Sequence, residues 1–141
     1  MTVTFDVDGT LQRPIVQDYA AELISKGVNV HILTSRYDEL HKHLYPINPT
    51  NSDLFEVSLR LGIPFQHIHF TNMQDKATYL YDTNVIWHLD DDQNELYSIQ
   101  QMKCKTVGIK FVGGWKSKCK RLINAEYNNT TRPQMEPRRS N

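Results

Sequence analysis

The feature that most constrains this chain is an alternation of period: short β-branched apolar runs, each stopping in polar residues, are separated by stretches with helical spacing. Thr2 to Val7 (TVTFDV) alternates like a strand and ends where acidic residues begin. Pro14 opens a helix through Lys26, with Ile15, Tyr19, Leu23 and Ile24 at helical intervals and Gly27 as its stop. Val28 to Thr34 is a second strand, nearly continuous in apolar residues toward its end, as buried parallel strands are. It finishes in Thr34, Ser35 and Arg36. The His-, Pro- and Asn-rich segment Tyr37 to Asn51 reads as a loop with one helical turn around Asp38 to Leu44.

Ser52 is expected to cap a helix through Leu61, with Glu56 and Arg60 as an i,i+4 pair and Gly62 as the stop. Ile68 to Phe70 is a short third strand, and Gln74 to Tyr81 a helix carrying Lys76 in its first turn. A fourth strand, Val85 to Leu89, runs into Asp90, Asp91 and Asp92. A helix from Gln93 to Met102, a strand from Thr106 to Phe111 and a basic helix from Trp115 to Tyr127 complete the pattern. Residues 128–141 read as a disordered basic tail.

Strands alternating with helices specify an α/β fold: a Rossmann-like, three-layer, doubly wound parallel sheet of about five strands. In such sheets ligands bind at the carboxyl ends of the strands, where the three polar clusters lie. A length of 141 residues with 39% hydrophobic side chains suits one core and one domain, residues 1–127. Phe5, Ile32 and Trp87 belong to that core, and Trp115 is expected to pack on the sheet rather than stack a nucleic-acid base. No run reaches the roughly 18 to 20 apolar residues of a membrane span, and the first ten residues lack a basic stretch followed by an apolar one. A soluble, cytoplasmic protein with no membrane partner is expected. Cys104 and Cys119 are expected to be free, and Asn128-Asn129-Thr130 matches a glycosylation acceptor that no secretory signal activates.

The net charge of zero hides an asymmetry. From residue 103 onward ten Lys and Arg face only Glu126 and Glu136, whereas the first 102 residues carry six basic and fourteen acidic side chains. A basic end beside an acidic body suits a protein that attracts a polyanion while its catalytic region binds a cation, although a solvated basic tail accounts for the same composition.

The densest chemical signal is Asp6-Val7-Asp8-Gly9-Thr10. Two carboxylates two residues apart at a strand end can face the same space, and Gly9 allows a sharp turn whose amides can bind an oxyanion. A chance D-x-D-G-T in a chain of this length has odds of about one in a thousand, so an acidic turn alone does not explain it. The paired histidines His67 and His69, and His41 and His43, stand at i,i+2 with no further ligand at matching spacing, which disfavours zinc.

Over residues 3 to 111 the chain resembles the haloacid dehalogenase (HAD) superfamily. Four features carry the resemblance in order: Asp6 to Thr10 after a strand, Thr34 ending another, Lys76 at a helix start, and Asp90 to Asp92 after a later strand. The resemblance implies a magnesium-dependent phosphomonoester hydrolase in which Asp6 is the nucleophile and forms an aspartyl-phosphate. Asp8 would protonate the leaving oxygen and then activate water. An acid at position 8 favours phosphoryl transfer over dehalogenation, since a leaving halide needs no proton.

The same resemblance assigns Mg2+ to the Asp6 carboxylate, the Asp8 backbone carbonyl and Asp91, with Asp90 beside Lys76 or a water of the ion. Asp92 is a further ligand candidate or a cap for the helix from Gln93. Thr34 would hydrogen-bond a phosphate oxygen, Lys76 would balance its charge, and Gly9, Thr10, Ser35 and Arg36 would bind substrate. Leu33-Thr34-Ser35-Arg36 is similar to a Ser-Gly-Arg stretch in the phosphatase domain of bacteriophage polynucleotide kinase-phosphatase, with Ser35 in place of glycine.

In this superfamily, caps that select small metabolites are inserted between these motifs. Neither the interval from Asp8 to Thr34 nor that from Thr34 to Lys76 leaves room for one, so the expected site is open. An open site suits a nucleotide or a polynucleotide end, a reading the basic end favours through nucleic-acid phosphates, or it borrows a lid in a homo-oligomer. A capless phosphatase for small sugar or nucleoside monophosphates is the alternative, and a catalytically inactive phosphate-binding module the third reading.

Overall fold

The structure, a computed structural model, describes residues 1–46 and 50–131. Five strands, β1 (Thr2–Phe5), β2 (Asn29–Thr34), β3 (Ile68–Phe70), β4 (Trp87–Asp90) and β5 (Val107–Lys110), form one sheet in the order β3-β2-β1-β4-β5. Every neighbouring pair is parallel. The chain leaves β1 for β2 and β3 on one side and returns to β4 and β5 on the other, so the order reverses between β1 and β4. That reversal opens the crevice in which doubly wound sheets bind ligands.

Helices α1 (Pro14–Ser25), α2 (Ser52–Leu61), α3 (Lys76–Leu80), α4 (Gln93–Gln101) and α5 (Trp115–Thr131) cover both faces. Period-two alternation sorts the strand side chains. Val3, Phe5, Val30, Ile32, Trp87, Leu89 and Ile109 pack on one face with residues of α1, α2 and α5, among them Val16, Tyr19, Leu54 and Cys119. On the other face Leu33 and Val85 pack with Ala77 and Leu80 of α3 and Ile99 of α4. This is the three-layer α/β architecture the sequence pattern implies. Neither motif interval holds a folded cap among the described residues. None of the described helices is long and apolar enough to cross a membrane.

Several boundaries differ from the sequence reading for local reasons. β1 stops at Phe5, and Leu11 N and Gln12 N then donate to Asp6 O and Val7 O in a wide turn that gives residues 6 to 12 a path of their own. β4 begins at Trp87 and takes in Asp90, which therefore lies inside the sheet. Ser52 is the first helical residue of α2 rather than its cap. Asn51 precedes it, but its amide donates to Tyr37 O and Glu39 Oε1. Arg60 reaches Gln17 Oε1 on α1 at 2.7 Å instead of pairing with Glu56. The tail expected from residue 128 is helical through Thr131, and residues 132–141 of it lie outside the described residues.

An aromatic ladder fixes α5. Trp87 meets Phe5 edge-on at 5.2 Å and stacks with Tyr19 at 6.3 Å; Trp115 meets Tyr19 and Phe111 edge-on, each at 5.5 Å. Trp115 is thus a buried anchor, and both cysteines are free. Replacing it by alanine (Trp115→Ala) should lower unfolding free energy by about 3 kcal/mol, read as a lower urea midpoint with an unchanged slope.

Candidate active site

The carboxyl ends of β1 and β4 bring two carboxylates to one buried lysine. Asp6 follows β1 and Asp90 ends β4, and Lys76 is the first residue of α3. Lys76 Nζ lies 2.7 Å from Asp6 Oδ1 and 2.6 Å from Asp90 Oδ2, and all three side chains are buried. Thr10 Oγ1 donates to the other Asp6 oxygen at 3.3 Å. Asp6 is therefore held on both oxygens, and the Thr10 hydroxyl is engaged with Asp6.

Asp90 is held more firmly still. His88 Nε2 lies 2.7 Å from Asp90 Oδ2, and the Asp92 amide donates to Asp90 Oδ1 at 3.0 Å. A carboxylate only accepts, so His88 carries its proton on Nε2, and Nδ1 accepts from the Thr4 hydroxyl at 2.7 Å. Thr4, His88 and Asp90 thus line up along the α3/α4 face of the sheet toward Lys76. The helix bearing Lys76 is positioned from α4: Glu95 accepts from Lys76 N at 2.9 Å, satisfying an amide at the start of α3. Asp92 serves as the cap of α4, accepting from Asn94 N at 2.9 Å.

Two buried carboxylates share one ammonium, so ionising both would leave one negative charge uncompensated. Burial opposes charge on Asp90, yet the His88 and Lys76 partners hold its carboxyl below the usual range. Burial is the largest influence on Asp6 and pushes its carboxyl up to about 8 against the pull of Lys76, with Asp90 and Asp91 adding to the rise. Lys76 stays charged: burial works against it, but Asp6 and Asp90 raise it above the ordinary lysine value.

Asp6, Asp90 and Asp91 offer carboxylate oxygens within 4.8 Å of one another, the one such group of three His, Cys, Asp or Glu side chains among the described residues. Gly9 makes this approach possible. With φ at +75° it adopts a conformation that favours glycine, and a Cβ there would overlap the Asp91 carboxylate. Its amide is turned to Gln12 Oε1 at 3.0 Å. Hard carboxylate oxygens gathered this closely fit a hard divalent cation.

Asp8 points to a different partner. Arg36, just beyond β2, donates through Nε and Nη2 to the two Asp8 oxygens at 3.0 and 2.7 Å. Its Nη1 and Nη2 also donate to the two oxygens of Asp53 in the first turn of α2, at 2.8 and 2.9 Å. Four of the five guanidinium N–H groups are thereby occupied. Arg36 is held above the usual arginine value by its Asp53 and Asp8 bonds, and the Arg36 bond lowers Asp53 to about 2. Thr34 is buried at the end of β2, and its hydroxyl accepts from Arg36 N at 3.2 Å. Ser35 O accepts from Met73 N at 2.7 Å, which ties the turn at Asn72 and Met73, both at positive φ, to the end of β2.

Most residues singled out from the sequence therefore gather near the strand ends in two groups, Asp6, Thr10, Lys76, Asp90 and Asp91 in one, and Asp8 and Arg36, joined by Asp53, in the other. Asp53, His88, Thr4, Gln12 and Glu95 were not legible as site residues. His88 had one available signal, since it stands two residues before Asp90 and so shares its sheet face. Three further histidines form a separate group beside β2 and β3, where His31 stacks on His67 at 4.0 Å and bonds His69 at 2.8 Å.

Two expectations follow. A raised Asp6 pKa adds stability that is full below the unfolded value near 3.8 and lost as pH rises through about 8. In EDTA, the urea-derived stability of the protein relative to Asp6→Asn should accordingly fall between about pH 5 and pH 8. The mutant reference removes the opposite trend from buried His88, whose ring resists protonation. Replacing Arg36 by lysine keeps the charge but loses both forks, and should lower the Asp53 and Asp8 occupancy enough to raise the Asp53 pKa from about 2, followed by carbon-detected NMR titration. Compared with known proteins, the chain matches no protein-family model and no curated protein.

Proposed function

We propose that the chain is a phosphomonoester hydrolase of the haloacid dehalogenase type that works with Mg2+ through an aspartyl-phosphate on Asp6. The observation that carries this reading is the Asp6 carboxylate, held by Lys76 and Thr10 next to Asp90 and Asp91 in the crevice where the strand order reverses. Nucleotide or polynucleotide-end phosphates are the proposed substrates, because no cap encloses the site among the described residues.

In the first step an Asp6 oxygen bonds to phosphorus, the ester P–O bond breaks, and the leaving oxygen takes a proton from Asp8. In the second, water attacks the phosphorus of the aspartyl-phosphate, Asp8 takes its proton, and inorganic phosphate leaves with Asp6 restored. Lys76 and Thr34 stabilise charge on the phosphoryl oxygens, and Gly9, Thr10, Ser35 and Arg36 shape the site. Arg36 fixes the Asp8 carboxylate, and Asp53 fixes Arg36.

Asp6 and Asp91, with the Asp8 backbone carbonyl, would hold Mg2+. Both oxygens of Asp90 are already taken by Lys76, His88 and the Asp92 amide, which suits Asp90 to orienting its neighbours. When bound, the ion supplies the positive charge that lets carboxylates and a phosphate dianion share one site.

Incubation with an aryl phosphate and magnesium tests the reading. Product release should depend on the metal and fall at least about a hundredfold in Asp6→Asn, whereas Asp8→Asn should leave radiolabelled phosphate on the protein because its release from Asp6 lacks a base. Binding of phosphate esters without turnover by the wild type would instead indicate an inactive phosphate-binding module.

A further inference from the structure

Beside the proposed general acid the protein has a cavity of about 290 Å³, lined by Asp8, Ser35, Arg36, Tyr37, Lys42, Tyr45, Asn51 and Met73. If Asp8 protonates the departing oxygen, the group attached to that oxygen must lie on the Asp8 side of the phosphate. From the geometry we infer that this cavity receives the leaving group and is built for a nucleoside; the inference rests on the phosphatase reading above.

The walls offer a surface suited to a planar aromatic group. Tyr37 and Tyr45 lie with ring centroids 6.1 Å apart and planes tilted by 35°. That spacing is too close to sandwich a base between them, but it presents a shared aromatic platform on which one can stack. Met73 adds a polarizable thioether, held by its backbone bond to Ser35. Polar side chains line the rest of the cavity, and the two tyrosine rings with Met73 supply the apolar share against which a planar base can rest.

Asn51 supplies the polar edge. It is buried, and its Nδ2 donates to Tyr37 O and Glu39 Oε1, two groups that only accept, which settles the amide orientation. Among the described residues its Oδ1 has no hydrogen-bond donor, which leaves an acceptor for an amino group on a base. Arg36 and Lys42 also line the cavity, each paired with carboxylates: Arg36 with Asp8 and Asp53, Lys42 with Glu39. Another cavity of similar volume lies between Val7, Leu11, Leu54 and Val57, but neither Asp6 nor Asp8 lines it, so it does not face the departing oxygen.

The shared chemistry is a nucleoside bearing a terminal phosphate, whether free or at the end of a polynucleotide. The test compares kcat/KM for adenosine 3′-monophosphate, adenosine 5′-monophosphate, a 3′-phosphorylated oligonucleotide and glycerol 2-phosphate, in the wild type and in Tyr45→Ala. Tyr45 is partly exposed, so the variant should fold, which circular dichroism checks. The wild type should prefer at least one nucleoside-bearing ester to glycerol 2-phosphate by about tenfold or more, and Tyr45→Ala should cut that preference about tenfold, mainly through KM.

Preference for a mononucleotide assigns the pocket to free nucleotides. Preference for the oligonucleotide, with turnover that falls as salt rises, assigns it to polynucleotide ends. A wild-type ratio near one, or a ratio unchanged in Tyr45→Ala, overturns the inference while leaving the phosphatase reading intact. If no ester is turned over, the phosphatase reading fails, and equilibrium dialysis with adenosine decides the pocket separately. Retention lost in Tyr45→Ala upholds the pocket, and absence of retention by the wild type overturns it.

Discussion

One ammonium group shared by two buried carboxylates organises this protein. Lys76 reaches Asp6 at the end of β1 and Asp90 at the end of β4, the two strands that flank the reversal in strand order. Removing the lysine would leave two buried anions facing each other, so the contact constrains α3, β1 and β4 at once. The surrounding bonds serve it: Glu95 secures the start of α3, and Thr4 and His88 steady Asp90. With both carboxylates ionised the arrangement would be one positive charge short, and burial answers that by raising the Asp6 carboxyl.

The second constraint is the Arg36 fork. Its guanidinium joins Asp8, from the turn after β1, to Asp53, from the first turn of α2. A residue that the sequence suggested as a contact for substrate is instead largely occupied with protein carboxylates. This places Asp8 at the edge of the tyrosine-lined cavity and keeps it apart from the Lys76 group. Separation of the two carboxylates of Asp6-Val7-Asp8 has a structural origin: β1 ends before Asp6, so the two residues do not continue the strand's alternation.

Much of the architecture follows from patterns with short range. Alternation in Thr2 to Phe5, apolar runs in β2 and β4, the proline opening α1 and the glycine ending α2 are local signals, and each appears as the expected element. Boundaries moved where a long-range bond outweighed a local preference. Ser52 shows this: the helix begins at Ser52 itself, after Asn51, whose amide is tied to Tyr37 and Glu39 across the loop.

By itself, then, the sequence determined a parallel α/β sheet, the gathering of its polar clusters at strand ends and the identity of the residues there, because strand and helix periods are set by neighbours in the chain. Only the tertiary structure decided how those residues pair. Lys76 and Asp6 stand 70 positions apart, and Arg36 and Asp8 stand 28 apart. No local period specifies contacts at such separations; they arise when strand order, helix docking and the need to compensate buried charge are satisfied together.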